Sequence, residues 1–182
     1  EWGIEAARCR VIRNGVDPAV CLPRDKAEAR HRLGLSPDRP YIGFVGGFFP
    51  WHGLDTLMEA MALVRREYPT AMLLLVGDGQ TKPALEALVR QRGLEEVVSF
   101  VGRVGFDEVP WWIGASDLCV VLHRAVRFYP GDSMKLWEYL ACARPVVATA
   151  GEGYGDLVEA LGAGVSVKSN DAPALAKGLC RL

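Results

Sequence analysis

Short apolar segments alternate with amphipathic segments along almost the whole 182-residue chain, and this alternation constrains the fold more than any other feature. Several apolar segments are hydrophobic on both faces, which is typical of strands in a parallel sheet covered by helices on each side. The predicted strands are Cys9–Arg13, Tyr41–Val45, Ala71–Val76, Val97–Val101, Leu118–Leu122, Pro145–Thr149 and Val165–Lys168. We therefore expect a Rossmann-like α/β fold, a doubly wound and mainly parallel sheet of six or seven strands with helices on both faces.

Capping signals and apolar spacing predict the helices between these strands. Asp25 and Glu28 have the spacing of a capping box, and Gly34 follows as a stop signal. Apolar residues spaced three and four apart mark one buried face after Gly53 and another before Gly93. Later helices are predicted at Val109–Ala115, Met134–Ala143, Asp156–Leu161 and Ala172–Leu182.

The composition is that of an ordinary globular domain, with 50% hydrophobic and 24% charged residues. A chain of this length is expected to form one domain around a single core. The net charge of -1 argues against nucleic acid or an anionic membrane as a partner, because both select an excess of basic residues.

The apolar runs and the cysteines indicate the compartment. The longest apolar run, Ala71–Val76, is far shorter than the roughly 20 residues of a membrane-spanning helix. The five cysteines form no CxxC pair, and Cys119 and Cys142 lie in apolar stretches, so we expect buried thiols rather than disulfides or a zinc site. The chain begins without Met or a signal-peptide pattern. We expect part of a longer, cytoplasmic protein.

A glycine-rich loop follows the strand Tyr41–Val45. Gly46 and Gly47 allow a ligand to approach the backbone closely, and the next helix directs its positive end toward an anion. His52, at the start of that helix, is placed to donate to a phosphate. Alternatively, the glycines form only a tight turn and His52 is a solvated cap. The loop matches neither GxGxxG nor a P-loop, so a dinucleotide or NTP site has no direct support.

A second candidate anion site lies where a helix begins after the segment Tyr129-Pro130-Gly131. Asp132 or Ser133 caps this helix, and the amides of Ser133 and Met134 lie at its N-terminus. Lys135 is in the first turn and Glu138 one turn later, where a carboxylate suits a ribose diol. The alternative is a Lys–Glu pair on a solvated face. The apolar run from Leu136 to Ala143 favours a largely buried helix and the binding site.

Six motifs in order resemble the C-terminal domain of the family 4 retaining glycosyltransferases, which have two Rossmann-like lobes in the architecture called GT-B. These motifs are Ile12–Asp17, Phe44–Ala60, Leu74–Gly79, Val101–Val104, Ala115–Asp117 and Lys135–Ala148. The last contains the most specific pattern, KLxEYxA followed by PVVA. The resemblance implies that residues 1–182 form one donor-binding domain and that the N-terminal, acceptor-binding domain is absent from the chain.

The resemblance also implies the ligand and the site residues. The family transfers a sugar from a nucleotide diphosphate with retention of configuration and usually without a metal, so no metal or other cofactor is expected. By position, Glu138 holds the ribose hydroxyls, and Arg103 and Val104 lie beside the base. The remaining donor-binding residues implied by position face the phosphates or the transferred sugar: Gly46, Gly47, His52, Ser133, Met134 and Lys135.

The sequence departs from the family pattern at the catalytic and phosphate positions. Pro130 stands where many members have a Glu that contacts the sugar, which leaves Asp132 and Lys135 as candidate catalytic residues. Gly47 and His52 stand where many members have Arg and Lys. A histidine here is expected to titrate near neutrality and to make donor affinity pH-sensitive.

We expect a retaining glycosyltransferase whose isolated domain is inactive, with any membrane contact made through the absent domain. A non-catalytic nucleotide-sugar-binding module remains the alternative. A flavodoxin-like receiver is disfavoured, because it needs acidic residues where this chain has Gly46-Gly47-Phe48. A two-lobed sugar-nucleotide epimerase is disfavoured by the segment Lys135–Ala141.

Overall fold

The computed structural model describes residues 3–10, 12, 14–124, 133–151 and 154–182. Its strands are β1 (Tyr41–Val45), β2 (Met72–Val76), β3 (Val98–Gly102), β4 (Leu118–Val121), β5 (Val146–Thr149) and β6 (Gly164–Val167). They form one six-stranded sheet in the order β3-β2-β1-β4-β5-β6, and every pair of neighbours is parallel. The predicted Rossmann-like doubly wound sheet is confirmed.

Helices cover both faces of the sheet. They are α1 (Lys26–Arg32), α2 (Leu54–Glu67), α3 (Lys82–Arg92), α4 (Val109–Ala115), α5 (Met134–Ala141), α6 (Tyr154–Ala160) and α7 (Ala172–Arg181), with short 3-10 helices at Ala6–Arg8 and Pro50–His52. Successive strand residues point to opposite faces, so Phe44 packs with α2, α3 and α7 whereas Val45 packs with α4, α5 and α6. Within the described residues, no helix has the length and apolarity needed to cross a membrane.

Six of the seven predicted strands form, with ends shifted by a residue or two. The predicted strand Cys9–Arg13 is wrong: its described residues 9, 10 and 12 are exposed and lie outside any strand, and the Ile12 side chain is 91% exposed. Apolar character alone does not make a strand without a neighbour to pair with and a core to cover. Helix α5 ends at Ala141, two residues earlier than predicted, because Ala143 has a positive φ of 54°.

The strand order places the ligand-binding edge of the sheet. β1 and β4 are neighbours at the centre of the sheet. From β1 the chain continues to β2 and β3 on one side, and from β4 it continues to β5 and β6 on the other. The carboxyl ends of β1 and β4 are therefore a topological switch point. Since all strands are parallel, the loops after Val45, Val76 and Gly102 and the segment that follows Val121 lie at this same edge. Ligands of doubly wound folds bind in this crevice.

The motif Ala115–Asp117 lies at the opposite edge of the sheet and has a structural role. The Asp117 carboxylate accepts hydrogen bonds from Lys26 Nζ at 2.8 Å, Arg30 NH2 at 2.6 Å and the Tyr41 amide at 2.7 Å. Burial acts to raise the pKa of Asp117, but these hydrogen bonds and cations hold it below its ordinary value. Asp117 thus joins α1 to the amino ends of β1 and β4.

Candidate functional site

The glycine loop after β1 packs tightly on the turn after β2. Gly46 has a φ of 141°, and its amide donates to the Val76 carbonyl at 2.8 Å. A Cβ on Gly77 would lie 2.0 Å from the Gly46 carbonyl oxygen, so only glycine fits there. The Phe48 amide donates to the Asp78 carbonyl at 2.9 Å. The Gly77-Asp78-Gly79 turn therefore supports the glycine loop from behind.

Lys135, from the first turn of α5, lies directly over this loop. A Cβ on Gly46 would lie 2.3 Å from Lys135 Cε and 2.9 Å from its Nζ. The Nζ atom is 5.7 Å from the centroid of the Phe44 ring. Burial lowers the pKa of Lys135, and the charge of Glu138 acts in the opposite direction. At the switch point, the Lys135 ammonium group therefore lies next to the backbone of Gly46, where there is no side chain to block it.

His52 is buried beside Lys135 and bonds to the glycine loop. The ring is 6% exposed, with Nδ1 2.6 Å from the Gly47 carbonyl oxygen and Nε2 3.5 Å from Lys135 Nζ. Burial and the charge of Lys135 lower the pKa of His52 to about 4, although the bond to Gly47 opposes this shift. The expectation that His52 titrates near neutrality is wrong, because the imidazole is buried beside the Lys135 ammonium.

A second histidine, His123, lies next to His52 and was missed by sequence reasoning. It follows β4, is 3% exposed, and has its ring centroid 5.8 Å from that of His52. Its amide donates to Thr149 Oγ1 at 3.0 Å, which links the ends of β4 and β5. Burial, followed by the charges of His52 and Lys135, lowers the pKa of His123 to about 4. The sequence signal that could have identified His123 is a polar residue directly after the apolar run Leu118–Leu122.

Ser133 occupies the N-cap position of α5, is 7% exposed, and makes no capping hydrogen bond with its side chain. Its amide donates to the Tyr154 hydroxyl from α6, which fixes the position of this helix end. Among the described residues, Ser133 Oγ is buried and has no hydrogen-bond partner. Because buried polar atoms are seldom left without a hydrogen bond, this hydroxyl at a helix N-terminus is a candidate contact for a ligand. The Met134 side chain beside it is 46% exposed.

Glu138 lies one turn further along α5 and is half-buried. Burial raises the pKa of Glu138, and the charge of Lys135 opposes the shift. The ion pair considered as an alternative does not form between these two described residues. After burial itself, the charges of Glu138 and then Asp17 raise the pKa of the Cys21 thiol. Both carboxylates therefore lie within electrostatic reach of the Cys21 thiol.

The remaining candidate residues are more distant from this cluster or lie outside the described residues. Arg103 is exposed and Val104 is half-buried, both just after β3, which β2 separates from β1. Pro130 and the catalytic candidate Asp132 lie outside the described residues. Among the residues that the structure describes, no three His, Cys, Asp or Glu side chains come together to hold a metal ion.

The sequence matches a protein-family model described as "Glycosyl transferases group 1" over residues 39–182. A similar curated protein is the D-inositol 3-phosphate glycosyltransferase 2 of Catenulispora acidiphila, with 32% identity over 179 residues. That alignment covers 93% of this chain but 41% of the relative. The chain therefore spans well under half the length of the relatives it matches.

Two solved structures also superpose on most of this chain, while the chain covers less than half of each of them. Sucrose-phosphate synthase from Thermosynechococcus elongatus superposes with a TM-score of 0.79 at 31% identity, covering 92% of this chain and 41% of that chain. The structure of HepE from Anabaena in complex with UDP-glucose superposes with a TM-score of 0.80 at 27% identity, covering 96% and 48% respectively. The fold and the family model thus agree.

Proposed function

The chain belongs to the group 1 glycosyl transferases, and from this premise we propose that it forms the C-terminal, donor-binding domain of a family 4 retaining enzyme with GT-B architecture. The partial coverage of longer relatives supports a missing acceptor-binding domain. The UDP-glucose bound by the similar HepE supports a nucleotide-diphosphate sugar as the donor.

The observation that carries this proposal is the Lys135 ammonium, held over Gly46 at the switch point and beside the start of α5. A diphosphate in this crevice has three complementary partners: the close backbone of Gly46 and Gly47, the Lys135 charge, and the N-terminus of α5. The Ser133 hydroxyl, which has no partner among the described residues, and the amide of Met134 complete this anion site.

The nucleoside extends from this anion site along α5. Glu138 lies one turn beyond Lys135, so a carboxylate accepts from both ribose hydroxyls when the diphosphate lies at the helix start. Arg103 and Val104, after β3 on the same edge, are assigned to the base. His52 lies beside this anion site, with its Nε2 atom 3.5 Å from Lys135 Nζ.

The chemical step breaks the bond between the anomeric carbon and the diphosphate oxygen. The acceptor hydroxyl oxygen bonds to the same face of the sugar, and its proton passes to the leaving diphosphate. Lys135 and the positive end of α5 stabilise the negative charge that develops on the leaving diphosphate, without a metal. Lys135 and Asp132 are thus the candidate catalytic residues of this domain. The acceptor is held by the N-terminal domain, so the isolated chain binds donor without transferring its sugar.

A non-catalytic nucleotide-sugar-binding module is the second candidate. The observation that favours it is Pro130, which occupies the position where the resembling family often has a sugar-contacting Glu. Turnover by the full-length protein separates the two candidates, since both bind donor.

The test is a screen of nucleoside diphosphates and their sugars by thermal denaturation and calorimetry. A ligand present at 100 times its Kd stabilises the native state by about 2.7 kcal/mol. We expect at least one nucleoside diphosphate to raise the melting temperature, with UDP tested first because HepE binds UDP-glucose. If none binds, the donor-domain assignment is wrong. Sugar transfer to an acceptor by residues 1–182 alone contradicts the need for a second domain.

A further inference from the structure

His52 forms a bridge between two groups of the proposed donor site. One ring nitrogen lies 2.6 Å from the Gly47 carbonyl oxygen, and the other lies 3.5 Å from Lys135 Nζ, on an element 83 positions away in sequence. A carbonyl oxygen only accepts hydrogen bonds, so Nδ1 carries the proton and donates to Gly47. The lone pair on Nε2 then accepts from the Lys135 ammonium.

Aromatic groups surround the His52 ring and limit its own contact with a ligand. The rings of Phe44, Phe49, Trp51 and His123 have centroids 5.7 to 6.0 Å from it. With 6% of the residue exposed and both ring nitrogens engaged, His52 has no donor left to offer a phosphate. Any effect of His52 on the donor must therefore pass through a neighbouring residue. Lys135 is the neighbour that carries a charge.

We propose that His52 is a positioning residue, whose neutral imidazole aims the Lys135 ammonium across Gly46 into the crevice and does not itself bind the donor. The inference rests on the proposed function, because it assigns His52 its effect through the cation that holds the diphosphate. His52 occupies the place of a Lys in many resembling sequences. In this chain, a neutral His52 that orients Lys135 would replace the second positive charge that a Lys at position 52 brings to the phosphates.

Two substitutions separate the two hydrogen bonds of the ring. In His52→Asn, the amide nitrogen takes the place of Nδ1 and retains the bond to Gly47 but loses the acceptor for Lys135. In His52→Gln, the longer side chain places its amide oxygen near the position of Nε2 and retains that acceptor. We expect UDP, measured by calorimetry on residues 1–182, to bind about tenfold more weakly to His52→Asn and within about threefold of the original affinity to His52→Gln.

The same substitution in a Lys135→Ala background tests whether the effect passes through Lys135. We expect His52→Asn to cause no further loss of UDP affinity in that background. A similar fold loss in both backgrounds means that His52 contacts the nucleotide directly, and the proposal is then wrong. Equal affinities of the original protein and His52→Asn, with only a lowered melting temperature, show a purely structural role and also overturn it.

A measurement without ligand keeps this inference distinct from the donor assignment. In the ligand-free protein, two-dimensional 1H–15N NMR of the imidazole should show His52 protonated on Nδ1 alone and unchanged between pH 6 and 8. The His52→Asn variant should also change the chemical shifts of the Lys135 side chain, whereas His52→Gln should change them less. An Nε2–H tautomer overturns the positioning role even if UDP binds. Failure of every nucleoside diphosphate in the screen to bind, with the expected tautomer and shifts present, overturns the donor assignment and with it the inferred role.

Discussion

Tyr139 and Val45 exchange two hydrogen bonds between helix α5 and the last residue of strand β1. The Tyr139 hydroxyl accepts from the Val45 amide at 2.9 Å and donates to the Val45 carbonyl at 3.4 Å. Tyr139 is fully buried, and burial raises the pKa of its hydroxyl well above the ordinary value. The residue after Val45 is Gly46, so this contact sets the helix carrying Lys135 and Glu138 at a fixed height above the glycine loop.

Tyr139→Phe is expected to destabilise the fold, because it leaves the buried Val45 amide without its partner. The free energy of unfolding should fall by about 1–3 kcal/mol, measured by urea denaturation. Tyr68→Phe is the matched control, since Tyr68 is 41% exposed, and its effect should stay within about 0.5 kcal/mol. Equal stabilities of the two variants contradict the role of this contact.

Glu138→Ala is expected to weaken UDP binding by roughly ten- to a hundredfold, because two hydrogen bonds from the ribose to a charged acceptor are lost. Burial raises the pKa of Glu138, so its ionised form does not stabilise the native state, and the melting temperature should not fall. Glu95→Ala, at an exposed position, is the control.

The nucleotide itself gives a second check on the ribose assignment. A 2′,3′-dideoxy form of UDP should bind weakly to both the original protein and Glu138→Ala, with little further loss on mutation. If the variant binds the ribo and dideoxy forms as tightly as the original protein does, Glu138 is not the ribose residue.

Gly46→Ala is expected to reduce nucleotide affinity as well as stability, because the new methyl group would occupy the space of Lys135 Cε. The positive φ of Gly46 adds backbone strain of about 1–2 kcal/mol. Gly93→Ala is the matched control: Gly93 also has a positive φ, but no atom lies within 4 Å of its added Cβ. Calorimetry should show weaker UDP binding for Gly46→Ala alone, whereas equal losses of affinity in both variants contradict a role for Lys135.

Ser133→Ala is expected to leave stability unchanged or slightly higher, because it removes a buried hydroxyl that has no partner among the described residues. The same change should weaken UDP binding by roughly three- to tenfold, since a hydrogen bond to the diphosphate is lost. Chemical denaturation and calorimetry measure the two effects. A loss of stability with full affinity shows that Ser133 serves the fold and not the ligand.

Stability is expected to fall as the pH drops below neutrality, because His52 and His123 are buried in the neutral form. Their native pKa values are about 4, compared with about 6.5 when unfolded, so the unfolded chain takes up protons that the native chain does not. The stabilisation is complete above pH 6.5 and is lost as the pH falls toward 4, by up to about 3 kcal/mol per imidazole.

Urea denaturation at pH 7 and pH 4.5 measures this loss. The double variant His52→Gln, His123→Gln should show a smaller difference between the two pH values than the original protein does. His31→Gln, at an exposed position, should keep the full difference. An unchanged pH dependence in the double variant assigns the acid sensitivity to other groups.

The architecture could be predicted closely because its signals are local. Strand β1 was predicted at its observed residues, and Gly93 ends α3 with a φ of 62°, as its position predicted. Cys9–Arg13 shows the limit of this reasoning, because its described residues 9, 10 and 12 are exposed and lie in no strand.

The charge states of the candidate site were less predictable. Sequence spacing brought Lys135 and Glu138 to one helix face, and it left open whether they form an ion pair; the structure shows that they do not. The histidine at position 52 was expected to titrate near neutrality, and its ring is instead buried beside those of Phe44, Phe49 and His123. His123 gave no motif to recognise, because its neighbours at the site come from distant parts of the chain.

The sequence by itself determined the parallel α/β fold, the family and the loops that face the ligand edge, because strand periodicity, capping and glycine turns depend on residues close together in the chain. Only the tertiary structure decided that His52 is buried, that its Nε2 atom lies 3.5 Å from Lys135 Nζ, and that Lys135 lies over Gly46. Protonation and hydrogen-bond direction depend on burial and on the nearest charges. Here the nearest charge to His52 is that of Lys135, 83 positions away in the sequence. The two residues meet only because β1 and β4 are neighbours in the sheet.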